Sequence, residues 1–211
     1  MPLFRRRPPP PRLSTDSLEY EILEAACRSI AGVPGLTCEI GVRGGGSSRL
    51  ILATCLASGY PRVHVGIDPF GNIPYARAEG QVGRLDYTNA MKTETLAALY
   101  AWCHESGADF VFLCLEDTEF FRRFADGVPV YRDRKTVVNE YALVFFDGPH
   151  TLDAVRAEVE FFAPRTPPGG AWVFDDLDTY PHMPVLDREI LALGFERVEQ
   201  GACKVSYRRT R

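Results

Sequence analysis

The side chains able to do chemistry gather in short stretches that run from apolar residues to an acid and then into a turn. The longest is Thr37-Cys38-Glu39-Ile40-Gly41-Val42-Arg43-Gly44-Gly45-Gly46-Ser47-Ser48, followed by the helical pattern Leu50-Ile51-Leu52-Ala53-Thr54-Cys55-Leu56. It reads as a strand, a tight turn and a helix N-terminus. Glycines let the backbone turn sharply and let a ligand come close. The free N–H groups of the first helical turn then face that ligand, with Ser47 or Ser48 as the N-cap. Glu39 precedes the first glycine by two residues, which suits a ligand carrying an amino group better than a pyrophosphate. The spacing is not the G-x-G-x-x-G of dinucleotide sites. His150, three residues past Asp147, could be a general base for a hydroxyl proton or a further ligand contact. His182 is a second candidate, while His64 inside a strand and His104 on a helix end read as structural.

The elements that must position these groups follow from hydrophobic spacing. Strands are expected at Leu36–Ile40, Val63–Ile67, Asp109–Leu115, Tyr141–Phe146, Ala171–Phe174, Phe195–Gln200 and Lys204–Arg208. Asp109–Leu115 is nearly all apolar, as a strand covered on both faces should be. Helices are expected near 17–31, capped by Asp16 or Ser17, then 47–58, a long one from Thr88 or Asn89, 151–163 and 184–193. Phe120, Phe121 and Phe124 suggest a short helix, and Tyr131–Asn139 a charged loop or an extra edge strand. Short strand–helix–strand linkers imply parallel neighbours and right-handed crossovers. Gly201-Ala202 makes the last connection an antiparallel hairpin. The expected fold is α/β, with a doubly wound, mostly parallel seven-stranded sheet ending in that hairpin. Acids then fall at five strand ends: Glu39, Asp68, Glu116 or Asp117, Asp147, and Asp175 with Asp176. Such sheets bind ligands beyond the carboxyl ends of their strands, so these acids point to one acid-lined cleft.

At 211 residues the chain is read as a disordered, basic, proline-rich tail over 1–14 and a single domain over 15–211. The net charge is −4, and the arginines Arg5, Arg6, Arg7 and Arg12 leave the rest more acidic still. An acidic body argues against a nucleic-acid surface. No apolar run reaches membrane-span length, and no secretory signal is visible. The six cysteines form no C-x-x-C pair and read as small buried residues of a reduced, cytoplasmic protein. Oligomeric state is open, with the N-terminal helix as a contact surface for a homo-oligomer.

Four motifs in order carry a resemblance. Glu39-Ile40-Gly41 with Gly45-Gly46-Ser47-Ser48, Gly66-Ile67-Asp68-Pro69-Phe70, Phe146-Asp147-Gly148-Pro149-His150, and Pro168-Gly169-Gly170 with Asp175-Asp176 resemble class I S-adenosylmethionine-dependent methyltransferases. The nearest group is the small-molecule O-methyltransferases related to macrocin O-methyltransferase and the cephalosporin hydroxylase-like proteins. The likeness spans about 36–177 and implies a Rossmann-like methyltransferase fold.

The resemblance also implies roles. Gly41 and Gly45 would let the backbone meet the methionyl part of S-adenosylmethionine, and Glu39 would hold its ammonium. Ser47 would cap the helix, Asp68 would accept from the ribose hydroxyls, and Asp117 would lie near the adenine amino group, although the family more often has Gly-Asp where this chain has Glu116-Asp117. In metal-dependent relatives the acids here represented by Asp147, Asp175 and Asp176 bind a magnesium-type ion, which would lower the pKa of a substrate hydroxyl. A metal-free alternative keeps Asp176 as an N-cap and Asp147 as a loop anchor. The implied activity is methyl transfer to a hydroxyl of a small molecule such as a sugar or secondary metabolite, with His150 and Asp147 as catalytic groups. Gly71–Tyr87 and Tyr131–Asn139 would serve as lids. A non-catalytic cofactor-binding module is the alternative. A nicotinamide-dependent oxidoreductase is disfavoured by the missing fingerprint.

Overall fold

Each apolar run bounded by glycine, proline or an acid becomes a strand. The computed structural model describes residues 13–15, 17–72, 87–180 and 182–211. Its strands are β1 (Leu36–Ile40), β2 (Val63–Ile67), β3 (Asp109–Leu113), β4 (Val128–Tyr131), β5 (Lys135–Val138), β6 (Tyr141–Phe146), β7 (Ala171–Phe174), β8 (Phe195–Gln200) and β9 (Val205–Arg209). Seven form one sheet in the order β3-β2-β1-β6-β7-β9-β8. Neighbours from β3 to β7 run parallel, and β9 runs antiparallel to both β7 and β8. The sheet class and closing hairpin are as the sequence leads one to expect. Chain order did not reveal that β9 inserts between β7 and β8.

The helices are α1 (Tyr20–Ser29), α2 (Gly46–Ala57), α3 (Asn89–Ser106), α4 (Asp117–Arg123), α5 (Leu152–Phe162) and α6 (Met183–Ala192). Alternation along β6 divides the core. Leu143 and Phe145 join Ile22, Leu23, Ile51 and Cys55 under α1 and α2. Val144 and Phe146 join Val159, Phe162, Leu186 and Ile190 under α5 and α6. Strands β1, β2, β6 and β7 are buried along their whole length, which anchors the carboxyl edge where the acids emerge.

Three expectations change. Strand β3 is not covered on both faces. It is the sheet edge, and only Phe110 on it is fully buried. Helix α1 begins at Tyr20 with Glu19 as N-cap and no capping side chain; the Ser17 hydroxyl is spent elsewhere, and Asp16 lies outside the described residues. The 128–138 segment is a separate two-stranded hairpin. It packs beside Gly35, Leu36 and Val63, and Arg132 pairs with Asp109 at 2.9 Å. That is the amino end of the strands, so the hairpin cannot serve as a lid over the carboxyl edge. The other expected lid lies mostly at 73–86, outside the described residues, as does 1–12 of the expected tail. Leu13 is half-buried against the α2–α3 core, and Ser14 pairs with the β1–α2 turn.

Candidate active site

Glu39, the first acid of the edge, is fully buried. It sits on the face of β1 that α2 covers, where Ser48 donates its hydroxyl to Oε2. His64 Nε2 lies 3.5 Å from the same oxygen, and His64 Nδ1 lies 3.0 Å from Thr37 Oγ1. His64 is therefore structural, as expected. Glu39 Oε1 has no hydrogen-bond partner among the described residues. Leaving a buried carboxylate oxygen unpaired is costly, so this atom awaits a donor.

The glycine turn is also packed by the chain's own residues. Gly41 has φ +92°, and a Cβ there would lie 1.9 Å from the Asp147 carbonyl oxygen. Gly45 has φ +73°, and a Cβ there would press on Leu99 and Leu13. Ser14 donates its N–H to Gly44 O at 3.2 Å and accepts the Gly46 N–H at 3.1 Å. The close approach at Gly44 and Gly46 is thus made by the chain's own N-terminal segment, and the Gly46 N–H is already used. Among these glycines Gly41 lines the cavity beside Asp68, whereas Gly44 lines a separate one with Ser14 and Thr88. Ser47 is not the N-cap either. Gly45 takes that position because the turn needs a left-handed residue there, and Ser47 is buried inside the first turn.

Asp68 ends β2 and shapes the β1–α2 turn. Its Oδ2 accepts the N–H groups of Val42 and Arg43 at 3.0 and 2.9 Å, and its Oδ1 accepts that of Phe70 at 2.9 Å. A carboxylate offers about four acceptor positions, so one on Oδ1 remains for a ligand hydroxyl. Burial pushes its pKa up to about 6, the three N–H groups opposing and the Glu39 charge assisting.

Beyond Asp68 opens a cavity of about 300 Å³. Ile40, Ile67, Pro69 and Leu115 give it apolar walls, and Asp68, Asp117 and Asp147 give it acids. None of the described residues lining it is a lysine or arginine. Asp117 opens α4, where its Oδ1 accepts the Thr118 N–H at 2.7 Å while Oδ2 is buried without a partner among the described residues. Burial, together with the nearby Glu116 charge, raises its pKa. An orphaned acceptor beside apolar walls matches the amino group of an adenine, and an acid-lined space without counter-cations matches a cationic ligand and repels a pyrophosphate. The donor set therefore fits S-adenosylmethionine.

Asp147 stands where this cavity meets the carboxylates of β7. Burial and the charges of Asp175, Asp176 and Glu39 hold its pKa well above the usual range. Asp176 has φ +59° and half-exposed oxygens, and burial, followed by Asp175 and Asp178, raises it too. His150 Nε2 lies 3.5 Å from Asp176 Oδ2, and its ring stacks on Tyr180 at 3.9 Å and 5°. His182, the second candidate, instead points Nε2 at the His150 carbonyl, 2.6 Å away.

Asp175 does not fit the divalent-ion role. Its Oδ1 lies 2.7 Å from Lys204 Nζ and accepts the Asp176 N–H at 2.9 Å, while its Oδ2 accepts the Ser17 hydroxyl at 2.5 Å. Among the described residues, no group of three or more His, Cys, Asp or Glu side chains is placed to hold a metal ion. The three aspartates share one corner of the sheet, but one of them is already neutralised from inside the fold.

Sequence reasoning missed Lys204, Ser17 and Glu158. A lysine in an alternating strand reads as exposed, yet this one is fully buried because β9 is an inner strand. Glu158 lies on the apolar stripe of α5, 1% exposed, with Oε1 unpartnered among the described residues. That break in the helical pattern was a readable signal. Of the cysteines, four are buried, Cys203 is half-buried and Cys114 is exposed, all as free thiols. No described helix is long and apolar enough to cross a membrane.

Known proteins share this fold. The structure of the O-methyltransferase NovP is similar over 90% of this chain and 79% of its own, at 20% identity and a TM-score of 0.59. CalS11, a calicheamicin methyltransferase, is similar over 89% and 78%, at 21% identity and a TM-score of 0.62. TomG from Streptomyces achromogenes, an O-methyltransferase involved in tomaymycin synthesis and solved with S-adenosylmethionine, is similar over 90% and 77%, at 16% identity and a TM-score of 0.53. No curated protein matches the chain by sequence. A methyltransferase domain model matches residues 38–177, the span from β1 through the strand-end aspartates. The chain therefore belongs to the methyltransferase domain family, with the class I architecture of enzymes that draw the methyl group from S-adenosylmethionine.

Proposed function

We propose that the protein transfers the methyl group of S-adenosylmethionine to a hydroxyl oxygen of a small molecule, a sugar or secondary metabolite. The observation that carries this reading is the acid-lined cavity, whose described lining residues include no lysine or arginine and leave Asp117 Oδ2 unpartnered, opening beside the His150–Asp176 pair at one sheet edge. When bound, the cofactor supplies a methyl already activated by its sulfonium. Asp117 Oδ2 would accept from the adenine amino group, the free acceptor position of Asp68 from a ribose hydroxyl, and Glu39 Oε1 from the ammonium. These contacts fix the donor so that an acceptor oxygen can approach in line.

The remaining work is removal of one proton. His150 takes it from the acceptor hydroxyl, and the Asp176 carboxylate favours the resulting imidazolium. Stacking on Tyr180 limits the orientation of the His150 ring. Asp147, at the junction of cavity and carboxylates, orients the acceptor hydroxyl by hydrogen bonding. The divalent ion that the sequence resemblance implies is not carried into this reading, because Asp175 is already paired with Lys204. Four buried free thiols support a reducing, cytoplasmic setting.

The test is turnover with methyl-labelled S-adenosylmethionine and a panel of sugars and phenols. Label in an O-methyl product, lost in His150→Asn, supports the reading. Tight cofactor binding with no transfer to any hydroxylated acceptor would favour the non-catalytic module instead.

A further inference from the structure

The cluster around Lys204 contains more charge logic than a strand-end loop needs. Three aspartates, Asp147, Asp175 and Asp176, converge on one corner. Like charges so placed need a counter-charge, and the fold provides one. Lys204 Nζ is fully buried, 2.7 Å from Asp175 Oδ1. It donates a second hydrogen bond to Ser17 Oγ and faces the rings of Tyr20 and Phe145 at 5.1 and 5.5 Å. An ammonium has three donors, and two of them meet oxygens while the rings receive the charge. Burying a lone ammonium is prohibitive, whereas a paired and hydrogen-bonded one is tolerated.

The lysine is also held in place. The Glu19 carboxylate accepts the N–H groups of Ala202, Cys203 and Lys204 at 2.8, 2.8 and 3.0 Å. That clamps the tip of the β8–β9 hairpin to the start of α1, so that Lys204 enters the cluster from the side of the C-terminal hairpin. Ser17 closes the ring by donating to Asp175 Oδ2 at 2.5 Å. Asp175 thus spends both oxygens within the protein. A hard divalent ion needs several such oxygens at once, and it could take Asp175 only by expelling the ammonium.

We propose that Lys204 is the built-in cation of this active site: it occupies the place of a divalent ion, and methyl transfer by this chain needs none. This deepens the proposed function and rests on it. An enclosed ammonium has no open coordination position, so it balances Asp175 without activating the acceptor hydroxyl. The hydroxyl proton must then go to a protein base, which gives His150 its task. Lys204 is a positioning residue: it acts through Asp175 on the corner that holds Asp176 and His150.

The test uses the full-length protein stripped with EDTA and titrated with Mn²⁺, free ion being counted by electron paramagnetic resonance. Wild type is expected to leave Mn²⁺ free through the micromolar range, and its turnover is expected to be unchanged by EDTA. Lys204→Ala is expected to take up about one Mn²⁺ per chain, with at least tenfold higher affinity than wild type. Should that variant fold only with Mn²⁺ present, as read by thermal melting, the exchange of ammonium for ion is equally supported. Uptake of one Mn²⁺ per chain by wild type at micromolar concentration, or loss of wild-type turnover in EDTA, overturns the proposal. If Lys204→Ala does not fold under either condition, the wild-type titration decides. S-adenosylmethionine binding is measured on the same wild-type sample by calorimetry. Its absence would defeat the proposed function while the Mn²⁺ result still judged Lys204.

Discussion

The Oδ2 atom of Asp68 accepts the backbone N–H of Val42 at 3.0 Å, so an acid at the end of β2 holds the turn that follows β1. The same carboxyl also lines the cavity. Structural and binding duties therefore meet in one side chain, and the two separate by experiment. Asp68→Ala leaves the N–H groups of Val42, Arg43 and Phe70 unpaired. At about 1–3 kcal/mol for each buried unpaired group, partly relieved by water, stability should fall by about 2–4 kcal/mol in denaturant titration, and cofactor affinity should fall with it.

Because burial raises the Asp68 pKa to about 6, pH moves stability and binding in opposite directions. The folded form holds the proton more tightly than the unfolded chain. Its contribution to stability is fully present below about pH 4 and is lost as pH rises through about 6. The ionised acceptor that a ribose hydroxyl needs is lost in the other direction. Calorimetry should show S-adenosylmethionine affinity falling about tenfold from about pH 7 to about pH 5, with a much flatter profile in Asp68→Asn. A flat wild-type profile would remove Asp68 from the binding set.

Asp117 offers a cleaner separation. Its Oδ2 has no partner among the described residues, and its Oδ1 accepts only the exposed neighbouring Thr118 N–H, which water can replace, so Asp117→Ala gives up little within the fold. The melting temperature should stay within about 2 °C of wild type, while cofactor affinity should weaken about 10- to 150-fold, as for one hydrogen bond to a charged acceptor. A large drop in melting temperature with unchanged affinity would reverse that assignment.

His150 is expected to act on rate alone. His150→Asn should lower kcat by about 10²- to 10⁴-fold, the range of a lost general base, and leave cofactor affinity unchanged. Tyr180→Leu removes the stacking partner and should lower kcat by a smaller factor. Equal losses in kcat and cofactor affinity for His150→Asn would place the residue in binding instead.

Gly41 separates sterics from backbone strain. A Cβ at Gly41 would lie 1.9 Å from the Asp147 carbonyl oxygen, whereas one at Gly59, φ +76°, meets nothing within 4 Å. Gly59→Ala should cost about 1 kcal/mol, the strain of a left-handed residue. Gly41→Ala should cost at least about 3 kcal/mol, because two main chains must part. Parallel denaturant titrations of the two variants check the difference.

Much of the fold was legible because the parallel strands are apolar runs cut by Gly, Pro or an acid, and Glu39, Asp68 and Asp147 do share one edge. What stayed hidden depends on partners distant in sequence. Glu19 looks like an ordinary surface acid, yet it binds a hairpin tip near residue 203. Lys204 looks solvent-exposed until β9 is known to lie between β7 and β8. The glycines at 44–46 suggest a ligand, but Ser14 lies against Gly44 and Gly46, a contact no local pattern encodes. Asp175 reads as a metal ligand by position, and only the side chain arriving from the last hairpin changes that.

The most direct measurement is a crystal structure with S-adenosylhomocysteine. The expected result places the adenine amino group within hydrogen-bonding distance of Asp117 Oδ2 and the ribose at Asp68, both in the 300 Å³ cavity, with the ammonium directed toward Glu39. Nucleoside density instead in the separate 450 Å³ cavity between Ser14, Thr88 and Glu94 would contradict the account.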